Sequence, residues 1–227
     1  MIAVVSLGGS IAVPDAPDTA FLENFVSMAG EWLSENSARK LILVVGGGGP
    51  ARTYQRAYKT AAGESYDAIE ADWLGIMATR LNAQLLRALF RGYCLQDVVY
   101  DPTKVTDFSG RVMVAAGWKP GFSTDNDAVL LAERFAAKTV LNISNIEKVY
   151  TADPRTNPDA RPIDEISWKD FRAMVGDDWA PGKNTPFDPV ASQRAESANI
   201  TVFCIGKDID NIKRALGGKN FTGTKIF

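Results

Sequence analysis

The sequence predicts an α/β protein: a mostly parallel central sheet with helices on both faces. Short apolar runs alternate with longer stretches of helical spacing along all 227 residues. Several of those runs are apolar at successive positions, the pattern of strands covered on both faces. Glycine clusters stand at strand ends, and in open sheets of this kind ligands bind beyond the carboxyl ends of the strands.

The first strand is IAVVSL (2–7), which turns through SLGGS (6–10). A helix over 18–35 begins at Asp18 or Thr19. The strand LILVVG (41–46) leaves through GGGGPAR (46–52) into a helix that carries Arg52 one turn in. The stretch 71–92 is helical and stops near Gly92. VVY (98–100) and VMVAAG (112–117) read as strands, and GWKPGFSTD (117–125) is the third glycine-bearing turn. Helix 125–137 starts at Asp125, and TVLNIS (139–144) is the next strand. The Pro/Asp-rich stretch 151–162 is the most loop-like part of the chain. Helices follow over 167–176, bounded by Ser167 and Gly176, and over 188–199. A strand at 201–206 and a helix over 208–218, stopping near Gly217, complete the set. These bounds rest on capping side chains at helix starts and glycines at helix ends.

Bulk properties exclude several functions. A net charge of −2 with pI about 5.3 lacks the basic surface of a nucleic-acid binder. No apolar run reaches the roughly 20 residues of a membrane span, and no signal peptide is visible. Cys94 and Cys204 are the only cysteines and lack metal-ligand spacing, which fits a reducing cytoplasm. Histidine is absent, so any chemistry runs on Lys, Arg, Asp, Glu, backbone dipoles and a bound Mg²⁺. Helix 18–35 carries Phe25 and Trp32 on one face, which serves either as a subunit-pairing surface or as an ordinary core face.

One glycine turn alone is more often a tight corner than an anion cradle. Three at the ends of one sheet's strands favour phosphate, because bare backbone N–H groups and helix N-termini both attract anions. Arg52 could add a bidentate contact. None of the turns fits the P-loop pattern, and the first does not fit the dinucleotide fingerprint.

SLGGS, VVGGGGPAR, ADWLGIMATRLNAQLL, GWKPGFSTDNDAVLLAE, NISNIEKVYTADP and DPVA, in this order and spacing, resemble the amino acid kinase superfamily, and within it archaeal-type uridylate (UMP) kinases. The likeness spans the whole chain. It implies a single three-layer α/β/α domain, with a phosphate-acceptor lobe over about 1–125 and an ATP lobe over about 126–227. The activity it implies is transfer of the ATP γ-phosphate to UMP with Mg²⁺, in a cytoplasmic homo-oligomer, a hexamer built from dimers. By the same resemblance Gly8, Gly9, Ser10, Gly48, Arg52, Ser144, Asn145, Tyr150 and Asp153 contact ATP. Gly47, Asp72 and the loop Trp118, Lys119, Pro120, Gly121, Phe122, Ser123 and Thr124 contact UMP. Asp125 takes the place of the aspartate that organises the transferred phosphoryl.

Two departures bear on catalysis. The family's lysines on either side of that aspartate are replaced by Ser6 and Gln193. Lys183, Lys119 and Lys148 are the candidates to supply the missing charge, Lys183 first. The loss keeps open a second reading, a nucleotide-binding or oxyanion-storage relative with weak transfer, and a third, a kinase for another small phosphate or acid.

Overall fold

The computed structural model describes residues 1–177 and 185–227. In chain order its elements are β1 Ile2–Leu7, α1 Gly9–Ala12, α2 Thr19–Ser34, β2 Lys40–Val45, α3 Gly48–Ala62, α4 Ala68–Leu89, β3 Val112–Ala115, α5 Thr124–Arg134 and β4 Thr139–Ile143. They continue with β5 Val149–Tyr150, β6 Pro162–Ile163, β7 Glu165–Ile166, α6 Trp168–Val175, α7 Pro189–Ser197, β8 Thr201–Ile205, α8 Ile209–Leu216 and β9 Thr224–Ile226.

Among the described residues one seven-stranded sheet runs β3-β2-β1-β4-β8-β9-β7. Its pairings are parallel except β8–β9. The chain winds outward from β1 to β3, then returns to place β4 on the other flank of β1. The winding therefore reverses between β1 and β4, and a crevice opens beyond their carboxyl ends. Leu7 lies opposite Ile143 in that pair, which sets Gly8 beside Ser144.

Alternate residues of each strand feed two cores, as the side-chain period of two requires. Val5, Leu7, Leu41, Leu43 and Val45 pack against Phe25 and Trp32 of α2, Leu86 of α4 and Ile212 of α8. Val4, Ile42, Val44, Val140 and Val202 face Val129 and Leu131 of α5, Phe171 of α6 and Ala191 of α7. Burying each such aliphatic side chain stabilises the fold by about 1.5–3 kcal/mol. This is the expected three-layer α/β/α arrangement.

Several element boundaries differ from the sequence expectation. Phe25 and Trp32 are buried, and the Trp32 indole donates to the Leu216 carbonyl at 3.2 Å, so that face belongs to the core. Residues 98–100 do not form a strand. Val99 alone bridges to Ala115, and Pro102, two residues after Tyr100, has no N–H to extend the ladder. Helix α5 is capped by Ser123, not Asp125: its side chain accepts from Asn126 N at 3.2 Å. Helix α4 starts earlier, at Ala68, because Asp67 caps it, and its C-cap is Phe90, two residues before Gly92. The loop-like stretch 151–162 connects β5 to β6, an antiparallel pair outside the main sheet.

Candidate functional site

The first two glycine turns touch through bare backbone. A Cβ on Gly9 would lie 2.1 Å from Gly48 N, and one on Gly46 would lie 2.6 Å from Gly9 N. Gly48 also has φ +62, a conformation that side chains disfavour. Gly8 is tied across the switch point, donating from its N–H to Ile143 O at 2.8 Å. Buried Asn82 of α4 fixes the second turn by donating Nδ2 to Gly46 O at 2.8 Å and Gly47 O at 3.3 Å. Arg52 is exposed on α3 and reaches Pro14 O at 3.0 Å, which lays it over the loop after α1.

The third turn is held by α4 and α5. Gly117 N donates to Thr79 Oγ1 at 2.8 Å, Trp118 N to Asp127 Oδ2 at 3.2 Å, and Gly121 N to Asp72 Oδ2 at 2.8 Å. Arg80 Nη2 donates to Trp118 O at 3.1 Å. Asp72 therefore sits against the loop that ends in Ser123 and Thr124, at the head of α5. Within that loop the Lys119 ammonium lies 4.1 Å from the Trp118 ring centroid and 4.9 Å from that of Phe122. The two rings meet edge to face at 4.9 Å. Pro120 lies between them in sequence, and Gly121 has φ +79.

An acidic centre joins the third turn to the first. Ser6 Oγ of β1 donates to Asp125 Oδ1 at 2.7 Å. Burial of the carboxyl, foremost, raises the Asp125 pKa to about 6. The Ser6 hydrogen bond opposes that rise, and the charge of Asp188 adds to it. Asp188 caps α7, accepting from Ala191 N at 2.7 Å. Asp127 is only 1% exposed, and burial, opposed by the Trp118 amide and aided by the charges of Asp125 and Asp101, raises it to about 7. Its Oδ1 is buried with no hydrogen-bond partner, as is Arg80 Nε. Serine thus stands against the aspartate where the resemblance would put lysine, and it satisfies one carboxylate oxygen without adding charge.

On the other flank of the switch point Ser144 and Asn145 follow β4 and line a cavity of about 970 Å³ together with Ser10, Gly206 and Lys207. Tyr150 lies in β5, half-buried. Asp153 turns the hairpin after it: its carboxylate is bound by Arg155, foremost through the side-chain hydrogen bond, which holds its pKa below the usual range.

The candidate replacement cations fare differently. Lys148 is paired with Asp164. Lys119 is stacked as described, and Lys183 lies outside the described residues. Gln193 Nε2 donates to Asp177 O at 3.1 Å. No group of three or more His, Cys, Asp or Glu side chains gathers around one point among the described residues. Asp125 and Asp188, two neighbouring carboxylates, fit a Mg²⁺ carried in by nucleotide phosphates better than an all-protein cage.

Sequence reasoning missed Asp127, Thr79, Arg80 and Asn82. The DND repeat at 125–127 was a readable signal, since an acid two residues into an otherwise apolar helix face must be buried or paired. The three α4 residues gave none, because their role depends on the tertiary placement of the loop.

A family model described as the amino acid kinase family matches residues 1–206. A uridylate kinase of Pyrococcus abyssi is 35% identical over 90% of this chain and 89% of its own length. That of Methanothrix thermoacetophila is 35% identical over 100% of this chain and 99% of its own. The crystal structure of uridylate kinase from Archaeoglobus fulgidus superposes with a TM-score of 0.85 at 30% identity, covering 100% of both chains.

Proposed function

We propose that this chain, which belongs to the amino acid kinase family, is a uridylate kinase that moves the γ-phosphoryl group of ATP to UMP. The bond between the γ-phosphorus and its bridging oxygen breaks, and one from a UMP phosphate oxygen forms, giving ADP and UDP. The observation that carries the reading is the meeting of all three glycine turns at one switch point: Gly9 against Gly48, and Ser6 bonded to Asp125 at the root of the third.

Phosphoryl transfer demands alignment and charge neutralisation more than covalent help. Donor phosphates suit the ends of β1 and β2, where side chains are missing and the N-terminus of the 15-residue α3 contributes positive potential. The acceptor phosphate suits the loop Trp118 to Thr124 at the head of α5. Asp72, already tied to that loop through Gly121, is placed to accept from a ribose diol. Asp125, fixed by Ser6, sits between the two and orders them. A Mg²⁺ arriving with ATP would neutralise charge on the moving group, with Asp125 and Asp188 the carboxylates that would hold it. Without lysine at positions 6 and 193, transfer is expected to be slow for its class.

The same reading takes the chain as cytoplasmic, its Cys94 and Cys204 thiols buried and unpaired. Among the described residues no helix is long and apolar enough to cross a membrane. It also takes the chain as a homo-oligomer, a hexamer of dimers, supported by an exposed apolar stripe on α4. ADP release measured with UMP, CMP, AMP or no acceptor tests the function. Turnover with UMP at least tenfold above the others is the expected result. ATP binding without turnover of any acceptor would replace kinase with the binding-only reading.

A further inference from the structure

The site just described lacks a cation at its donor end. Of the positive side chains near the glycine turns and the adjoining cavity, Arg52 is turned onto Pro14, Lys148 is paired with Asp164, Arg194 is paired with Glu133, and Arg214 is turned along α8 onto Asn211 Oδ1 at 3.3 Å. Lys207 is different. It follows directly on Gly206 at the carboxyl end of β8, is exposed, and makes no ion pair or hydrogen bond among the described residues.

Strand register places it. Leu7 pairs with Ile143, and Ile143 with Ile205. Gly8, Ser144 and Gly206 therefore stand in one row at the ends of β1, β4 and β8. With neighbouring strands about 4.8 Å apart, Gly206 is roughly 10 Å from Gly8. A lysine's flexible four-carbon stem spans much of that gap and brings its ammonium toward Gly8–Ser10. Lys207 and Ser10 line the same cavity, with Ser144 and Asn145 between them. Two of that cavity's acids are engaged elsewhere: Asp18 caps α2 and Asp208 caps α8. Glu147 remains, its stem packed across Gly206.

We infer that Lys207 grips the phosphates of the nucleotide donor, supplying from β8 a positive charge that positions 6 and 193 do not. The inference rests on reading this cleft as a nucleotide-phosphate site, but not on UMP as acceptor. An ammonium reaching across two strands binds ground-state phosphate rather than tracking the γ-group in flight, so its loss shows first in donor affinity.

The test is binding of ATP and of adenosine to the full chain, by calorimetry and ligand-observed NMR, for wild type, Lys207→Gln and Lys207→Arg. ATP affinity should fall roughly tenfold to a hundredfold in Lys207→Gln, the range of a charge-assisted hydrogen bond, and largely return in Lys207→Arg. Adenosine, which carries no phosphate, should bind all three alike. Unchanged ATP affinity in Lys207→Gln, or an equal loss for adenosine, overturns the inference. Wild type that binds ATP yet turns over no UMP defeats the kinase reading while leaving this comparison decisive. Wild type that binds no ATP defeats both.

Discussion

Asp127 is a buried carboxyl whose ionisation works against the fold. Its carboxyl is buried, takes one hydrogen bond from Trp118 N, and has an unpartnered Oδ1. A pKa raised from 3.8 to about 7 means that the folded chain holds this proton more tightly than the unfolded chain does. The Asp127 contribution to stability is therefore most favourable below about pH 4, declines as pH climbs toward 7, and carries its full penalty above that. Asp125, raised to about 6, acts in the same direction over a lower window. Asn at 127 imitates the protonated carboxyl and keeps an oxygen for Trp118 N. Asp127→Asn should thus be more stable than wild type by about 1–3 kcal/mol at pH 8, with the difference shrinking to a few tenths at pH 4. Urea unfolding at the two pH values measures this, and a difference independent of pH would show that ionisation is not the cause.

At the scale of elements, the glycine turns matter as joints between strands and helices. Gly9 and Gly48 meet backbone to backbone, so an added methyl has no flexible neighbour to displace. Gly9→Ala should cost more than about 3 kcal/mol and lower Tm by roughly 10 °C. Gly92→Ala, where a Cβ meets nothing within 4 Å, should be near neutral in the same melt. Equal behaviour of the two variants would mean that the joint relaxes. These turns were legible in the sequence because glycine clusters after apolar runs have few other uses. So were the central strands and six of the seven longer helices, whose periodicity is set by burial, while α3 was legible only as the helix entered from the second turn. The edge was not legible. Strands β5, β6 and β7 are two residues each and β9 is three, too short for any period; β7 and β9 exist through pairing with residues distant in sequence, and β5 and β6 through each other, outside the main sheet. The site divides likewise. Backbone cradles announce themselves through glycine, while Thr79, Arg80 and Asn82 read as ordinary positions of an amphipathic helix until the loop is laid on them.

For the molecule as a whole, the feature left unexplained by one copy is the outer face of α4. Ile69, Trp73, Met77 and Leu81 recur every fourth residue and are 57%, 37%, 56% and 69% exposed. Twelve residues of helix place them along about 18 Å. Scattered exposed hydrophobics need no reason, but a continuous stripe marks a surface made to be covered. A second copy is the economical occupant, since two such stripes related by a two-fold axis bury each other without new chemistry. The face differs from the one that Phe25 and Trp32 suggested, because those two side chains already fill the core under α2. It also adjoins function. The same helix carries Asp72, Thr79, Arg80 and Asn82, which hold the second and third turns. Pairing through α4 would therefore stiffen the acceptor side of the cleft. Met77→Glu with Leu81→Glu sets like charges across the axis and should reduce the sedimenting species to a smaller oligomer or a monomer at tens of micromolar. Circular dichroism should remain native, and apparent affinity for UMP should weaken because α4 loses its support. A wild-type chain that sediments as a monomer, or a double variant that keeps the wild-type size, would leave the stripe without this partner. A dissociated variant with unaltered UMP affinity would keep the interface but detach it from the site.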